Sequence, residues 1–335
     1  MITIAVDTGY GVVKGFSSIS KKIEFPSTIG EFHPVKFISG LEKDLTRNLV
    51  IGYNQKRYFV GESALKQSRP QATVDKDRTI SEEGLVLLMG ALSLLVSEKI
   101  SEQVNLIVGL PVMHYEPLKD RYINSIRQLQ TVDILSLAGE LLSRKFITIA
   151  AIKVLPQPMG TFFDCLLNDS GEIADSKLAT QNVGIVDIGY NTLDFSRIDN
   201  LDFINPKSTS YSGLGIYSAF QNLSAEIYRG LGIEIPPENI EPFIRKGEIT
   251  VAGRPVSIDC YKRTAFSEAA KQIISRIKSF WTDRWNLNQI IISGGGAHLL
   301  GEYLIPEFEQ AKICANPMFA NASGYLKFGK RVWKS

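Results

Sequence analysis

Short apolar runs separated by polar turns dominate the first sixty residues. Residues 2–6 (ITIAV) form one such run, a turn is predicted over residues 7–11, and a second strand over residues 12–17. This pattern predicts a β-hairpin at the N-terminus. Further short strands are predicted near residues 23–25, 49–53 and 57–60. The first part of the chain is therefore expected to be rich in strands.

From residue 81 onwards the pattern changes to helices alternating with strands. Residues 85–96 are apolar on nearly every side of a helix, and Ser81 followed by two glutamates supplies a typical helix start. This helix should be buried. A strand is predicted over residues 104–110, a helix over 117–129 and a strand over 146–155. Such alternation is typical of an α/β sheet.

The pattern restarts with an apolar strand at residues 183–188. Helices are predicted near residues 215–229 and 264–284, and a strand at 289–292 leads into a triple-glycine turn and a helix over 298–303. In the helix near 264–284, seven apolar residues share one face and indicate core packing: Phe266, Ala269, Ala270, Ile273, Ile277, Phe280 and Trp281.

Composition narrows the class of protein. A chain of 335 residues exceeds the usual size of one core, and 44% hydrophobic with 21% charged residues is typical of a folded protein. The net charge of +2 supplies no field that would indicate direct nucleic-acid or membrane binding. Three widely spaced cysteines without a C-x-x-C pair argue against a zinc site or disulfides, and favour the cytoplasm.

A four-residue motif occurs twice, each time directly after an apolar strand. It reads DTGY from Asp7 and DIGY from Asp187, an offset of 187 − 7 = 180 residues. Glycine lets the backbone approach a phosphate closely, and the neighbouring carboxylate can hold hydrated Mg²⁺. Either copy alone is ordinary turn chemistry. The pair indicates two halves of similar topology, each with one phosphate-binding hairpin.

The glycine-rich turn at residues 294–296 agrees with this interpretation. It follows a buried strand and precedes a helix, an arrangement that places backbone against a nucleotide, here at the adenosine end. A flexible turn is the alternative. Neither the P-loop pattern nor G-x-G-x-x-G occurs in the sequence.

Together these segments resemble the five motifs of the actin, Hsp70 and sugar-kinase superfamily, in the same order. They are the first phosphate motif (7–14), the first connecting motif (155–160), the second phosphate motif (186–194), the adenosine motif (292–297) and the second connecting motif (319–325). Within the superfamily the chain is most similar to ParM/StbA plasmid-segregation proteins and archaeal actin-like proteins. It departs from many relatives at Tyr190-Asn191, where they carry small residues, often glycine.

The resemblance implies an α/β, actin-like (ribonuclease H-like) duplicated two-domain fold with an interdomain nucleotide cleft. Domain I would comprise residues 1–155 and about 305–335, with a variable outer subdomain at about 30–80. Domain II would comprise residues 156–304.

The resemblance also assigns roles to residues. Asp7 and Asp187 would hold Mg²⁺ through water, Lys14 would contact the β-phosphate, and Gln157 would orient the attacking water, so that Gln157, Asp187 and Asp7 are the predicted catalytic residues. The predicted nucleotide-binding residues are Thr8, Gly9, Tyr10, Gly11, Lys14, Gly189, Tyr190, Asn191, Thr192, Gly213, Gly215, Glu226, Gly294, Gly295, Gly296 and Ala297.

Three of these interpretations keep an alternative. In the alternative interpretation, Gln157 is a buried turn residue between two prolines. Likewise, Glu226 would be an exposed glutamate on a helix. Asp194, in the returning strand of the second hairpin, either orders water or caps the hairpin.

The function expected from the resemblance is that of an ATPase that forms head-to-tail filaments in the cytoplasm. Mg²⁺-dependent hydrolysis of ATP, or of GTP, would drive assembly dynamics for plasmid or DNA segregation, with a DNA-binding adaptor protein as partner. The alternative is a small-molecule kinase on the same core, although no carboxylate outside the motifs suggests itself as its general base. An Hsp70-like switch ranks last because the chain leaves no room for a peptide-binding module.

Overall fold

The computed structural model describes residues 1–37, 44–69 and 78–333. Parts of the predicted outer subdomain, residues 38–43 and 70–77, lie outside this range. The chain divides into two compact units: unit 1 comprises residues 1–176 and 319–335, and unit 2 comprises residues 177–318.

The described part of the chain forms seventeen strands and nine α-helices. The strands are β1 (Ile2–Thr8), β2 (Val12–Ser17), β3 (Lys22–Pro26), β4 (Ile29–Glu31), β5 (Val50–Tyr53), β6 (Lys56–Val60), β7 (Ser101–Leu110), β8 (Thr131–Leu135), β9 (Leu141–Pro156), β10 (Asn182–Ile188), β11 (Thr192–Asp199), β12 (Asp202–Phe203), β13 (Thr209–Ser212), β14 (Glu248–Val251), β15 (Arg254–Ser257), β16 (Gln289–Ser293) and β17 (Ala311–Ile313). The helices are α1 (Glu62–Gln67), α2 (Glu82–Leu95), α3 (Val112–Arg127), α4 (Pro158–Leu166), α5 (Ile216–Leu231), α6 (Glu241–Lys246), α7 (Asp259–Phe280), α8 (Ala297–Leu304) and α9 (Ala320–Val332).

Unit 1 is built on a nine-stranded mixed sheet in the order β3-β2-β1-β7-β9-β8-β5-β6-β4. The predicted N-terminal hairpin is confirmed: β1 and β2 pair antiparallel, although β1 extends through Asp7 and Thr8, so the turn is shorter than expected. β1 then pairs parallel with β7, and β7 parallel with β9. The end of β1 therefore lies beside the ends of two parallel strands.

Successive residues of β1 point to opposite faces of the sheet and therefore belong to different buried clusters. Ile4 and Val6 belong to a large buried cluster with Leu88 of α2, whereas Ala5 lies in a smaller cluster with Tyr325 of α9. Helix α2 is buried along nearly its whole length, as its apolar sequence predicts. It begins as predicted at Ser81, whose side chain accepts a hydrogen bond from the Gly84 amide at 3.3 Å.

Unit 2 repeats the strand order of the first part of unit 1. Its sheet runs β12-β11-β10-β16-β17, with β13 also paired to β11. The pairs β12-β11 and β11-β10 are antiparallel, and β10-β16 and β16-β17 are parallel, as are the corresponding pairs of the order β3-β2-β1-β7-β9. The motif that occurs twice in the sequence thus reflects a duplicated topology, in which β1-β2 and β10-β11 are equivalent hairpins.

Helices α5, α7 and α8 cover the unit 2 sheet through one buried cluster. The predicted core face is confirmed, since six of the seven apolar residues assigned to it are buried and the seventh, Phe280, is half-buried. Helix α7 begins at Asp259, earlier than predicted, and ends before Trp281, whose indole N–H donates to the Lys207 carbonyl at 2.8 Å.

Residues 156–176 lie in unit 1 because α4 packs closely against α9. A Cβ on Gly324 would overlap the Gly160 carbonyl oxygen, so glycine is required at this crossing. The buried Asn321 side chain accepts hydrogen bonds from the Thr161 amide at 3.1 Å and the Thr161 hydroxyl at 2.9 Å. The two connecting motifs of the sequence therefore form one packed pair of helices.

Two further differences from the sequence prediction concern a helix start and a hairpin. Helix α3 starts at Val112, directly after β7 and before the predicted start at residue 117, so that Pro117 lies inside the helix. The hairpin β14-β15 was missed; its tight turn has Ala252 and Gly253 at positive φ. Among the residues that the structure describes, none of the helices is both long and apolar enough to cross a bilayer.

Candidate functional site

The first hairpin brings three predicted site residues together in unit 1. Asp7 and Lys14 are cross-strand partners in β1 and β2, and their Oδ2 and Nζ atoms lie 3.7 Å apart. The side chain of Gln157 donates from Nε2 to Asp7 Oδ1 at 3.1 Å. Asp7 is buried, with 4% of its surface exposed. Its carboxylate is therefore held between a cation and an amide.

The backbone around Gln157 is fixed independently of its side chain. Its amide donates to the Leu110 carbonyl at 2.8 Å, and its carbonyl accepts from the Tyr325 hydroxyl at 3.1 Å. Pro158 follows as the first residue of α4. Because these contacts hold the main chain, the half-buried side chain is directed to Asp7.

The turn of the first hairpin is tight at its glycine. A Cβ on Gly9 would lie 3.0 Å from the Val12 carbonyl oxygen, closer than side chains normally approach. Tyr122 of α3, which the sequence analysis missed, lies fully buried beside this turn. Burial raises the pKa of the Tyr122 hydroxyl, the Asp7 carboxylate raises it further, and the Thr8 side chain opposes them.

The second hairpin pairs its strands in the same way as the first, but its aspartate stands opposite a different residue. Asp187 stands opposite Asp194 in β11, at the position that Lys14 occupies opposite Asp7 in the first hairpin. Asp194 is buried and accepts a hydrogen bond from the Ser210 hydroxyl of β13. The Gly189 amide donates to the Thr192 carbonyl at 2.9 Å and closes the turn.

The start of α5 holds the carbonyl groups of this second turn. The Ile216 and Tyr217 amides donate to the carbonyls of Gly189 and Tyr190, each at 2.9 Å, and the Gly213 amide donates to the Asn191 carbonyl at 2.7 Å. Gly215, at the N-cap of α5, is needed because a Cβ there would overlap the Tyr190 carbonyl. Both predicted glycines therefore contact the turn through the backbone.

Aromatic packing accommodates Tyr190, the residue at which the sequence departs from the motif of the superfamily it resembles. Its ring centroid lies 5.3 Å from that of Tyr217 and 6.5 Å from that of Phe220. Burial is the main cause that raises the pKa of Tyr190 to about 12, with contributions from Tyr217, Glu238 and Glu241. The tyrosine is thus part of the packing between the turn and α5.

The glycine-rich turn lies against the second hairpin. Gly294 has φ 86°, and a Cβ there would overlap the Asp187 carboxylate and the Ile188 carbonyl. The Gly296 amide donates to the Ile188 carbonyl at 2.9 Å. A Cβ on Gly295 would meet nothing within 4 Å. Two of the three glycines are therefore required by packing, while Gly295 leaves open space.

The two remaining predicted contacts lie on helices of unit 2. Ala297 is the buried first residue of α8. Glu226 of α5 pairs with Arg229 at 2.7 Å, and its side chain is only 17% exposed, so it is not a solvated helical glutamate.

The donor chemistry of the two aspartates fits hydrated Mg²⁺. Each hairpin ends its first strand with one buried aspartate, and hard cations prefer such oxygen ligands. Within the described ranges no three His, Cys, Asp or Glu side chains are grouped to hold a metal ion directly. On each hairpin the aspartate thus offers the kind of oxygen donor that suits a hydrated Mg²⁺ ion.

Comparison with protein families accounts for this architecture. A family model described as the N-terminal domain of actin-like proteins matches residues 5–160, and one described as the C-terminal domain of the archaeal MreB-like actin homologue matches residues 185–305. The duplicated fold with one hairpin per half is thus an actin-like, two-domain fold. The chain belongs to the family of actin-like proteins, and the predicted family and fold class are confirmed.

Solved structures of this class cover nearly the whole chain. A 15-stranded ParM filament from Clostridium botulinum is 25% identical with a TM-score of 0.80, and the match covers 98% of this chain and 99% of that one. The archaeal actin homologue Ta0583 in complex with ADP is 20% identical with a TM-score of 0.75, covering 99% and 100%. Bacillus thuringiensis ParM with AMPPNP is 18% identical with a TM-score of 0.70, covering 97% of each chain. A search of curated proteins finds no match.

Proposed function

We propose that this chain is a Mg²⁺-dependent ATPase that assembles into filaments, in the manner of ParM. GTP is the alternative substrate. Assembly would be head-to-tail between identical copies, and a DNA-binding adaptor would connect the filament to a plasmid or other DNA for segregation. The proposal places the protein in the cytoplasm.

One observation carries the catalytic part of the proposal: the Gln157 amide bonded to the Asp7 carboxylate, with Lys14 on the other oxygen. In-line phosphoryl transfer requires positioning and charge stabilisation more than covalent chemistry. A neutral amide fixed next to a metal-binding carboxylate is suited to orient a water molecule. Lys14 supplies positive charge for a phosphate oxygen.

Nucleotide binding draws further support from the backbone. The turns at Gly9 and Gly189 are tight, and glycine allows turns of this kind to present main-chain N–H groups to phosphate oxygens. The open side of Gly295 suits a flat base or ribose. Relatives of the same fold are described with ADP and with AMPPNP. When bound, Mg²⁺ would neutralise charge on the phosphates, held through water by Asp7 and Asp187.

Assembly is supported by similarity over nearly the full length of the chain to a protein described as a 15-stranded ParM filament. Head-to-tail contacts that do not close produce open filaments.

Two measurements on the purified protein test the proposal. Mg-ATP at a hundredfold excess over its Kd should stabilise the fold by about 2.7 kcal/mol, which appears as a higher melting temperature. Light scattering after addition of Mg-ATP should then rise above a critical protein concentration, and negative-stain microscopy should show filaments. An unchanged melting temperature with millimolar Mg-ATP contradicts nucleotide binding. Phosphorylation of a small acceptor without any assembly would favour the kinase alternative instead.

A further inference from the structure

Arg78 is a buried cation at the first hairpin that none of the predicted roles uses. It precedes α2, and its side chain is only 7% exposed. Nε pairs with Glu83 at 3.1 Å, and Nη2 donates to the Ser27 carbonyl at 2.6 Å and the Ser27 hydroxyl at 2.9 Å. Nη1 donates to the Tyr10 carbonyl at 3.4 Å, and the guanidinium lies 5.4 Å from the centre of the Tyr10 ring. Because the Glu83 carboxylate balances its charge, Arg78 contributes directed hydrogen bonds more than net positive charge.

Arg78 also shares a cavity with three of the predicted site residues. It lines one small cavity of unit 1 together with Thr8, Tyr10 and Gln157. The cavity thus joins the arginine to the turn and to the amide next to Asp7.

The duplicated hairpin supplies an internal comparison. In the second turn the Tyr190 carbonyl accepts from a backbone amide of α5, that of Tyr217. The equivalent carbonyl of the first turn, that of Tyr10, accepts from the Arg78 side chain. The next carbonyl, that of Gly11, accepts from the Ser27 amide at 2.9 Å, and Ser27 is itself bonded to Arg78. In unit 1 the Arg78 side chain therefore holds the carbonyl whose equivalent in unit 2 is held by the start of α5.

The direction of these carbonyls fixes the direction of the amides behind them. In a planar trans peptide the C=O and the N–H point in opposite directions. Holding the Tyr10 carbonyl toward Arg78 therefore turns the Gly11 N–H away from Arg78. In a phosphate-binding turn, such N–H groups are the ligands.

We propose that Arg78 is a positioning residue for nucleotide binding, which by holding the Tyr10 carbonyl aims the Gly11 amide at a bound phosphate group. This inference rests on the proposed nucleotide-binding function and deepens it. Arg78 acts through the backbone of Tyr10 and Gly11 and does not itself touch the nucleotide.

The test is calorimetric titration of the full chain with Mg-ATP and with adenosine, which lacks phosphates. Arg78→Gln should weaken Mg-ATP binding about tenfold, the effect of losing one charge-assisted hydrogen bond. Adenosine affinity should stay unchanged, because Arg78 acts only at the phosphates. Arg197→Gln is the matched control: Arg197 is also buried and paired with a carboxylate, that of Asp199, and its replacement should not alter the ratio of the two affinities.

If Arg78→Gln does not fold, two milder variants test the same role of Arg78. Arg78→Lys should recover part of the selective loss, and Ser27→Ala, which removes one guanidinium acceptor, should show a smaller loss of the same kind. Equal losses for Mg-ATP and adenosine in these variants, or no loss, would overturn the role of Arg78 alone. Wild-type protein that binds no Mg-ATP would overturn the proposed function, and this inference with it.

Discussion

Replacing Gln157 by alanine separates hydrolysis from nucleotide binding. The substitution removes the amide that donates to Asp7 Oδ1 at 3.1 Å. It leaves the backbone bonds from Gln157 to Leu110 and from Tyr325 in place. The start of α4 should therefore keep its conformation, and the Asp7 carboxylate should remain beside Lys14.

The loss of stability and the loss of turnover should differ in magnitude. One hydrogen bond from a half-buried amide to a carboxylate should cost about 1 kcal/mol of folding free energy, which lowers the melting temperature by only about 1–2 °C in a chain of 335 residues. Loss of a preorganised group that positions water should lower turnover by about 10²–10³. The kinetic loss should thus far exceed the loss of stability.

Phosphate release under saturating Mg-ATP, together with calorimetric affinity, measures both quantities. Turnover of Gln157→Ala should collapse while affinity changes little, and its filaments should persist. Gln181→Ala is a matched control, because Gln181 is also a half-buried amide, bonded to Gln289 at 2.8 Å, at the start of β10 and away from its turn. Full turnover in Gln157→Ala would remove this residue from the mechanism, and an equal loss of affinity would make it a binding residue.

Three further substitutions probe the second hairpin and the helix pair. Asp187→Ala should weaken Mg-nucleotide binding itself, because it deletes a metal-holding carboxylate, and calorimetry with unaltered affinity would contradict this. Gly324→Ala should destabilise the fold by about 3 kcal/mol in urea unfolding, the upper end of the usual cost of overpacking, since its Cβ would overlap the Gly160 carbonyl; a wild-type midpoint would refute the α4–α9 packing. For Tyr190 the folded pKa of about 12 exceeds the unfolded value of about 10, so its stabilisation is complete below pH 10 and declines as the pH rises toward 12. Wild-type protein should therefore lose stability relative to Tyr190→Phe between pH 10 and 12, and parallel curves would show an ordinary pKa.

Much of the fold was predictable because its signals are local. The two hairpin strands, the buried helix α2 and the core face of α7 follow from periods of 2 and 3.6 residues. Ser81 marks the start of α2 by capping chemistry alone. Helix α3 shows the limit of such signals, since it starts at Val112, directly after β7, and not at residue 117 as predicted.

The sequence by itself determined the duplicated D-x-G-Y hairpins and, through them, the family, because each motif is a continuous stretch whose chemistry depends on neighbouring residues. Only the tertiary structure decided how distant residues combine. Gln157 reaches Asp7 across 150 positions because β7 aligns parallel with both β1 and β9, and Gly294 lies against Asp187 because β10 and β16 are in register. Arg78 carries no motif at all. Its contacts with Tyr10, Ser27 and Glu83 arise where three separate segments meet, and side-chain contacts of that kind leave no periodic trace in a single sequence.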